Sequence, residues 1–245
     1  LILSWAIPNQ GGKGHINERS NDYIINEMAK RGSVFKSKPT DSLRSVTEDD
    51  VWWFKESLMV FDRLKVGLAV IAKNESKNIG RAIDSVIDFV DEFCFDLSGT
   101  TDDTEDVARL HLGPLDGEFI NSKWLGPAES LNRCIKNLGK RGCDWILRLD
   151  ADTTMEGEFP NLAILPSDIE GVSIPITNDD GWRVCYRSWL FRPTAHYKGV
   201  RHEGLWVSKT VDCDDLRVVP VSYPHLTLPP ICRASSSAAL APAPS

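Results

Sequence analysis

The fold is decided by VGLAVIAKNE at residues 66–75 and by WILRLDAD at residues 145–152. Each stretch is an apolar run that stops abruptly at charged or amide side chains. An open α/β sheet places polar residues in this way, at the carboxyl ends of its buried strands. The two stretches therefore predict two strands of one sheet, with polar groups at their carboxyl ends.

The second stretch ends in an Asp-x-Asp pair, Asp150 and Asp152. Carboxylate oxygens are the ligands that Mg²⁺ and Mn²⁺ prefer, and two of them can hold such a cation against a diphosphate. Acidic turns are common, so the pair alone is a weak signal. Its position directly after an apolar strand makes it a candidate metal site.

Strands and helices alternate along the middle of the chain. Apolar residues recur at helical spacing within 79–90 and within 131–138, which predicts two helices that cover the sheet. The first helix is predicted to end at residues 91–92, before a strand that begins at Phe93. A short strand is predicted near Phe119. The pattern favours an α/β fold with a mostly parallel sheet and helices on both faces.

The chain divides into three segments. Residues 1–64 are predicted to hold too few elements to close a core by themselves. Residues 65–219 carry the alternating pattern. Residues 220–245 turn into Pro, Ser and Ala and are expected to be disordered or foreign to the gene. The gene product is expected to extend beyond this sequence at both ends.

Composition excludes some classes of function. The 245 residues are 42% hydrophobic and 26% charged, and a net charge of −7 argues against bulk nucleic-acid binding. No run approaches the length of a transmembrane helix, and Leu1–Ala6 is too short for a signal peptide. Six cysteines without close spacing favour a reducing, cytoplasmic location.

The middle segment resembles the family-two glycosyltransferases, which are inverting enzymes with the GT-A fold that use sugar nucleotides. The resemblance covers roughly residues 65–207, and the ordered set of motifs is far more specific than any one of them. The motifs are Val70–Glu75, Asn78–Ile79, Ala82–Val86, Val90–Glu92, Ser98–Asp102, Ala128–Arg133, Asp144–Leu147, Asp150–Asp152, Trp189–Arg192 and Tyr197–Glu203.

The resemblance implies a nucleotide site at the ends of the first two strands and a metal at the Asp-x-Asp pair. It implies that the metal is Mn²⁺ or Mg²⁺, held by Asp150 and Asp152, with Asp152 the direct ligand and His202 an assistant at the metal or the diphosphate. The candidates for nucleotide binding are Asn74, Glu75, Asp96, Asp102, Arg133 and Asp150.

Inversion requires a group that takes the proton of the acceptor hydroxyl. The resemblance makes Glu203 the first candidate base, with Asp180 or Asp179 as substitutes and His202 as a further catalytic candidate. The residues themselves leave simpler alternatives open. Glu203 also fits a surface ion pair with Arg201 or Arg192, and the Asp-Asp-Gly sequence fits an ordinary turn.

One departure from the family pattern concerns recognition of the base. The family usually has an aspartate where this chain has Leu97, and Asp96 precedes that position by one residue. Adjacent strand residues face opposite sides of a sheet. Either a bulge restores Asp96 to the site, or base recognition is altered. Asp103 also stands where the family usually has glycine.

The first segment is similar to the last part of certain S-adenosylmethionine-dependent methyltransferase domains. The similarity rests on Ser4–Pro8, Gln10–Gly12, Gly14–Asn17 and Tyr23–Ile25. The resemblance implies that residues 1–64 are the remnant of an upstream methyltransferase-like domain. The glycine-rich turn that would bind the cofactor is absent, so no methylation is expected.

The function expected from the resemblance is transfer of a sugar from a nucleoside-diphosphate donor, with uridine as the expected base, to a hydroxyl acceptor. The acceptor would be a glycan, a lipid-linked group or a protein, with no nucleic acid and no transmembrane segment involved. One alternative is a non-catalytic module that binds a sugar nucleotide or a glycan. A nucleotidyltransferase is a weaker alternative, because Lys73–Ile79 offers no glycine-rich, basic phosphate loop.

Overall fold

The structure is a computed structural model that describes residues 1–10, 18–177, 182–199 and 204–220. Six α-helices lie within these residues. They are α1 (Asn21–Ala29), α2 (Ser37–Ser45), α3 (Trp52–Ser57), α4 (Ile79–Asp84), α5 (Thr104–Leu112) and α6 (Pro127–Lys140).

Fourteen β-strands lie in the same part of the chain, and short 3₁₀ turns occupy Asp49–Val51, Ile87–Phe89 and Leu162–Ile164. The strands are β1 (Ile2–Leu3), β2 (Ser33–Phe35), β3 (Met59–Arg63), β4 (Val66–Ile71), β5 (Glu92–Asp96), β6 (Asp116–Ile120), β7 (Trp145–Asp150), β8 (Thr153–Gly157), β9 (Gly171–Thr177), β10 (Arg183–Phe191), β11 (His196–Lys198), β12 (Gly204–Trp206), β13 (Thr210–Asp212) and β14 (Leu216–Pro220).

The main sheet has the strand order β6-β5-β4-β7-β10-β9-β14-β8, and β13 pairs with β9. Strands β6, β5, β4 and β7 are parallel to one another. Strand β10 is antiparallel to β7 and to β9, so the sheet changes direction beyond β7. The predicted α/β fold with a mostly parallel sheet is confirmed.

Helices cover both faces of the parallel strands, because alternate strand residues point to opposite sides. One face carries residues such as Leu68, Phe95 and Leu147, which pack with helix α4 and with α5. The opposite face carries residues such as Ala69 and Cys94, which pack with α6. The sheet is therefore the middle layer of a helix-sheet-helix sandwich, and its core is buried on both sides.

The first predicted helix is shorter than the sequence pattern suggested. Helix α4 ends at Asp84, and a separate 3₁₀ turn at Ile87–Phe89 follows it. Glu92 does not end a helix, since it is the first residue of β5. The apolar spacing continues through the break because both pieces lie over the same face of the sheet.

The first segment folds into a small unit of its own. Strands β1, β3 and β2 form a three-stranded sheet, and Ile24, Met59 and Phe61 are the buried centre of its core. This core is small, but it is separate from the two that cover the main sheet. The expectation that the segment holds too few elements for a core is therefore wrong within the described residues, because β1 and β2 pair with β3 from distant positions in the chain.

None of the helices that the structure describes has the length and hydropathy required of a membrane-spanning segment. The cysteines within the described residues, Cys94, Cys134, Cys143, Cys185 and Cys213, are free thiols.

Candidate active site

Three neighbouring parallel strands carry polar residues at their carboxyl ends, and these ends lie side by side in the sheet. In the pairing register, Ile71 at the end of β4 lies beside Asp96 of β5 on one side and beside Asp150 of β7 on the other. Side chains that are level on parallel strands share a face of the sheet. The two aspartates therefore lie on the α6 face, on either side of Ile71.

The loop after β4 is hydrogen-bonded to the loop after β5. Asn74 has a positive φ of 58°, and its Oδ1 accepts hydrogen bonds from the backbone N–H (2.8 Å) and the hydroxyl (3.3 Å) of Thr101. The backbone N–H of Glu75 donates to Thr104 Oγ1 at 2.8 Å. An αL conformation is tolerated by asparagine better than by most residues. Together these hydrogen bonds hold the two loops against each other.

Asp102 belongs to the same network of hydrogen bonds between the two loops. Its Oδ1 accepts from the backbone N–H of Thr104 at 3.1 Å and from the Thr104 hydroxyl, and its Oδ2 accepts from the backbone N–H of Ser76 at 3.3 Å. Hydrogen bonds from Thr104, and then from Ser76, lower the pKa of Asp102 to about 2. The carboxylate is thus ionised at neutral pH and joins the start of α5 to the β4 loop.

Asp96 lies in the interior and is fully buried. Its Oδ1 accepts from the backbone N–H of Ser98 at 3.0 Å, and its Oδ2 accepts from Arg133 Nη2 at 2.5 Å. The pairings of β5 with β4 and with β6 show no register shift, so no bulge turns Asp96 toward the other face. Leu97 points away from α6 into the core.

Arg133 connects helix α6 to the end of β5. Besides its ion pair with Asp96, it donates to Ser122 Oγ and, at 3.2 Å, to Ser130 Oγ. Its Nε is buried and has no hydrogen-bond partner among the residues that the structure describes. A buried charged donor without a partner is costly, so this N–H marks a place where a ligand acceptor would be favourable.

Asp150 is held by a neighbour on its own strand. Arg148 lies two residues earlier on the same face, and its Nε and Nη2 lie 3.2 and 2.9 Å from Asp150 Oδ1. The side chain of Asp150 retains 29% of its exposure.

Asp152 lies just beyond the strand and is partly buried. Burial raises the pKa of its carboxyl, and the negative charge of Asp150, followed by that of Glu75, raises it further. Asp152 is therefore close enough to Asp150 and to Glu75 to be repelled by both charges, and a cation at the Asp150–Asp152 pair would relieve that repulsion.

The described residues hold no group of three or more His, Cys, Asp or Glu side chains in a metal-binding arrangement. Mg²⁺ is commonly bound by one or two carboxylates that are completed by water and substrate phosphates. Asp150 and Asp152 are all-oxygen donors of that kind, so they fit a hard divalent cation that is shared with a diphosphate.

The candidates for the base lie outside the described residues. This applies to His202, Glu203, Asp180 and Asp179. Their prediction as catalytic or metal-binding groups stays a prediction. Strand β11 ends at Lys198 and strand β12 begins at Gly204, before and after these residues in the sequence.

Sequence reasoning did not identify Arg148 as a site residue. The signal was present, because Arg148 is the one charge inside the apolar run of residues 145–149. A charge in a strand that is covered on both faces needs a partner, and only the structure shows that the partner is Asp150.

Two clefts of about 330 and 360 Å³ lie at the opposite ends of the parallel strands from the predicted site. Arg63, Leu64 and Asp91 line both of them, near the amino ends of β4 and β5. Neither cleft contains a residue that the sequence predicts for the site. In open α/β sheets ligands bind at the carboxyl ends of the strands, so we place the site there and not in these clefts.

Curated relatives match a limited part of the chain. An uncharacterized glycosyltransferase of Rickettsia felis is 38% identical over 101 residues, which is 39% of this chain and 31% of the relative. One from Rickettsia prowazekii is 34% identical over 97 residues, with 39% and 30% covered. The chain thus spans about a third of the length of these relatives.

Solved structures show weaker likeness. Glucosyl-3-phosphoglycerate synthase from Mycobacterium tuberculosis, in complex with Mg²⁺ and uridine diphosphate, has a TM-score of 0.35 at 22% identity, covering 48% of this chain and 45% of that one. A Desulfovibrio desulfuricans protein described as a nucleotide-diphospho-sugar transferase has a TM-score of 0.32 at 13% identity, with 53% of this chain and 64% of that one covered. Values this low say nothing about the substrates of this chain.

The family comparison matches the strands and loops described above. Residues 68–184 match the model of glycosyl transferase family 2. The matched stretch runs from β4 through Asp150 and Asp152 to the start of β10. This part of the chain, a little under half of its length, is similar to glycosyl transferase family 2 domains.

Proposed function

We propose that this chain is a metal-dependent inverting glycosyltransferase that moves a sugar from a UDP-linked donor to a hydroxyl acceptor. The observation that carries the proposal is the meeting of three polar strand ends within the part of the chain that matches glycosyl transferase family 2. The catalytic part is residues 65–219. In the same proposal, residues 1–64 are the end of a methyltransferase-like domain without methylation activity.

In this proposal the nucleotide binds against the two hydrogen-bonded loops that follow β4 and β5. The side-chain N–H₂ of Asn74 donates no hydrogen bond among the described residues, because only its Oδ1 is engaged there. Glu75 and Asp102, in the same two loops, are the other nucleotide-binding residues there, and the buried Nε–H of Arg133 supplies a hydrogen-bond donor. Asp96 acts by holding Arg133, since its own oxygens are buried and engaged.

The diphosphate would be met by Asp150 and Asp152, which together would hold Mn²⁺ or Mg²⁺. When bound, the cation supplies charge neutralisation for the diphosphate leaving group. Two carboxylates alone would repel a diphosphate, so their place in the site makes chemical sense only with a cation. Fixed donors such as Asn74 and Arg133 orient the nucleotide and cost no reorganisation during the reaction.

The acceptor hydroxyl must lose a proton as the sugar is transferred. We propose Glu203 as the base, with Asp180 or Asp179 as substitutes and His202 as an assistant at the metal or the diphosphate. A base of this kind must lie within hydrogen-bond reach of the acceptor hydroxyl.

The test is calorimetric titration of UDP into the protein with and without Mn²⁺, on the wild type and on Asp152→Ala. We expect binding that needs both the metal and Asp152, with at least a ten-fold loss of affinity in the variant, because Asp150 and Asp152 would hold the cation that neutralises the diphosphate. Asp50→Ala, an exposed acid of the first segment, is the matched control and should bind as the wild type does. UDP binding that is equal without metal, or equal in Asp152→Ala, would contradict the proposal.

Binding alone does not separate an enzyme from a non-catalytic module. Release of UDP from UDP-sugars in the presence of Mn²⁺, measured on wild type and Asp152→Ala, makes that distinction. A folded protein that binds UDP with Mn²⁺ but never turns over a donor would favour the binding module.

A further inference from the structure

Arg148 is a charge placed inside a buried strand. Only 12% of its side chain is exposed. Its guanidinium carbon lies 5.7 Å from the ring centre of Trp189 and 5.3 Å from that of Tyr197. Burying an arginine is expensive unless it is paired, so a role in the site would explain its place.

The contact between Arg148 and Asp150 engages a single carboxylate oxygen. Both the Nε at 3.2 Å and the Nη2 at 2.9 Å approach Oδ1. Within the described part of the chain, Oδ2 of Asp150 accepts no hydrogen bond. An arginine fork on one oxygen fixes the orientation of the carboxylate and leaves the other oxygen available.

Helix α6 supports this arginine from the other side. Asn132 forms two hydrogen bonds with the backbone of Tyr197. Its Nδ2 donates to the Tyr197 carbonyl at 2.9 Å, and its Oδ1 accepts from the Tyr197 N–H at 2.8 Å. The Tyr197 hydroxyl in turn lies 3.4 Å from Arg148 Nη1. The chain of contacts runs from α6 through Tyr197 and Arg148 to Asp150.

The electrostatics of Arg148 agree with this geometry. An arginine guanidinium is not deprotonated in proteins, so Arg148 needs no special environment to remain charged. The group therefore stays a cation beside Asp150 at every working pH.

We infer that Arg148 is a positioning residue, which holds Oδ1 of Asp150 through the Asn132–Tyr197–Arg148 contacts so that Oδ2 is the oxygen offered to the divalent cation. The inference rests on the proposed function, because it concerns the same metal site. It adds that helix α6 orients acids at two strand ends, Asp96 through Arg133 and Asp150 through Tyr197 and Arg148.

A simpler role for Arg148 makes the opposite prediction. If Arg148 served only to balance the charge of Asp150, its removal would make the site more negative and would tighten Mn²⁺ binding. If it positions Asp150, its removal loosens binding although the site becomes more negative. Arg148→Lys separates the two further, because lysine keeps the charge but lacks the planar fork.

The experiment measures Mn²⁺ affinity in the presence of UDP by electron paramagnetic resonance of the free ion. We expect Arg148→Lys and Arg148→Gln each to weaken Mn²⁺ binding about ten-fold, the usual scale for a residue that orients a metal ligand. Arg217→Lys is the matched control, because Arg217 also directs its Nε and Nη2 at one oxygen of a carboxylate, Glu156, but on the exposed surface. It should leave the affinity unchanged.

A coupling measurement separates positioning from loss of folding. In an Asp150→Asn background the Arg148→Lys change should no longer alter Mn²⁺ affinity, whereas a general structural defect would still do so. Tyr197→Phe, which removes only the hydroxyl, should weaken binding two- to three-fold with an unchanged melting temperature. Unchanged or tighter Mn²⁺ binding in Arg148→Lys and Arg148→Gln would overturn the inference, and a wild type that binds no Mn²⁺ with UDP would overturn the proposed function beneath it.

Discussion

At the scale of single residues, the two acids after β7 have different surroundings. Asp150 faces the cation of Arg148, whereas Asp152 faces the negative charges of Asp150 and Glu75. Asp150 thus has an opposite charge beside it, whereas burial and the neighbouring negative charges raise the pKa of Asp152. Such unfavourable placement of a charge is typical of binding sites and is relieved by the ligand.

The stability of the metal-free protein should report this repulsion through Asp152→Asn. The pKa of Asp152 is raised in the folded protein, so the folded state holds this proton more tightly than the unfolded chain does. Stability is then lost as pH rises through the unfolded pKa toward the folded one. Removing the charge should therefore raise the melting temperature at pH 7 in the presence of chelator by up to a few degrees, as calorimetry would measure.

The gain from Asp152→Asn should shrink as the pH is lowered toward 3.8, the ordinary value for an aspartate, because the wild-type carboxyl is then protonated as well. Asp106→Asn, on the exposed side of α5, is the control and should show no such trend. A variant that is less stable than the wild type at pH 7 would contradict the expected repulsion.

At the scale of elements, aromatic packing fixes the outer parallel strands. Gly117 of β6 lies opposite Phe93 of β5, and Phe93 also contacts the rings of Phe95 and Phe119. A Cβ on Gly117 would lie 2.4 Å from the Phe93 ring and 2.4 Å from its carbonyl oxygen. The absence of a side chain at residue 117 allows the ring to cover the backbone there.

Gly117→Ala should therefore destabilise the domain by about 1–3 kcal/mol, the usual cost of overpacking, because the backbone carbonyl cannot move as a side chain would. Urea unfolding would measure the change. Gly204→Ala is the matched control, since a Cβ there would meet nothing within 4 Å. Equal stability of the two variants would show that β6 shifts freely away from β5.

At the scale of the whole molecule, the small first unit is joined to the unit that holds the main sheet by a few specific hydrogen bonds. Asn161, in the loop after β8, donates through Nδ2 to the carbonyls of Ala29 at 3.0 Å and Lys30 at 3.2 Å, at the end of α1. Its Oδ1 accepts from the backbone N–H of Ala163 at 3.0 Å. One side chain thus caps two helices that belong to different units.

Asn161→Asp should loosen this junction, because it keeps the acceptor for Ala163 and replaces the donor by an oxygen that repels the α1 carbonyls. The expected cost is about 1–3 kcal/mol for unsatisfied or repelled polar groups. Limited proteolysis should then cut the first unit several times faster. Asn26→Asp adds the same charge on an exposed position of α1 without a lost bond and should resist as the wild type does. Unchanged proteolysis in Asn161→Asp would show that other contacts hold the units together.

The sequence predicted the site best where chemistry follows a strand directly. The ends of β4 and β7 were correctly located, because apolar strands that stop at polar residues are visible in the chain itself. The break after α4 was missed, since a helix and a 3₁₀ turn over one face share the same apolar spacing. The core of the first segment was missed because β1 and β2 pair with β3 across long stretches of chain.

The sequence by itself determined the α/β class, the order of the parallel strands' motifs and the family-2 resemblance, because these depend on periodicity and on local polar signals. Only the tertiary structure decided which groups meet. It paired Asp96 with Arg133 and Asp150 with Arg148, and it linked Arg148 to α6 through Tyr197. The Asp96, Asn132 and Tyr197 contacts join residues far apart in the chain, and even Arg148 and Asp150 meet only because β7 turns both to one face. No local pattern records such a contact.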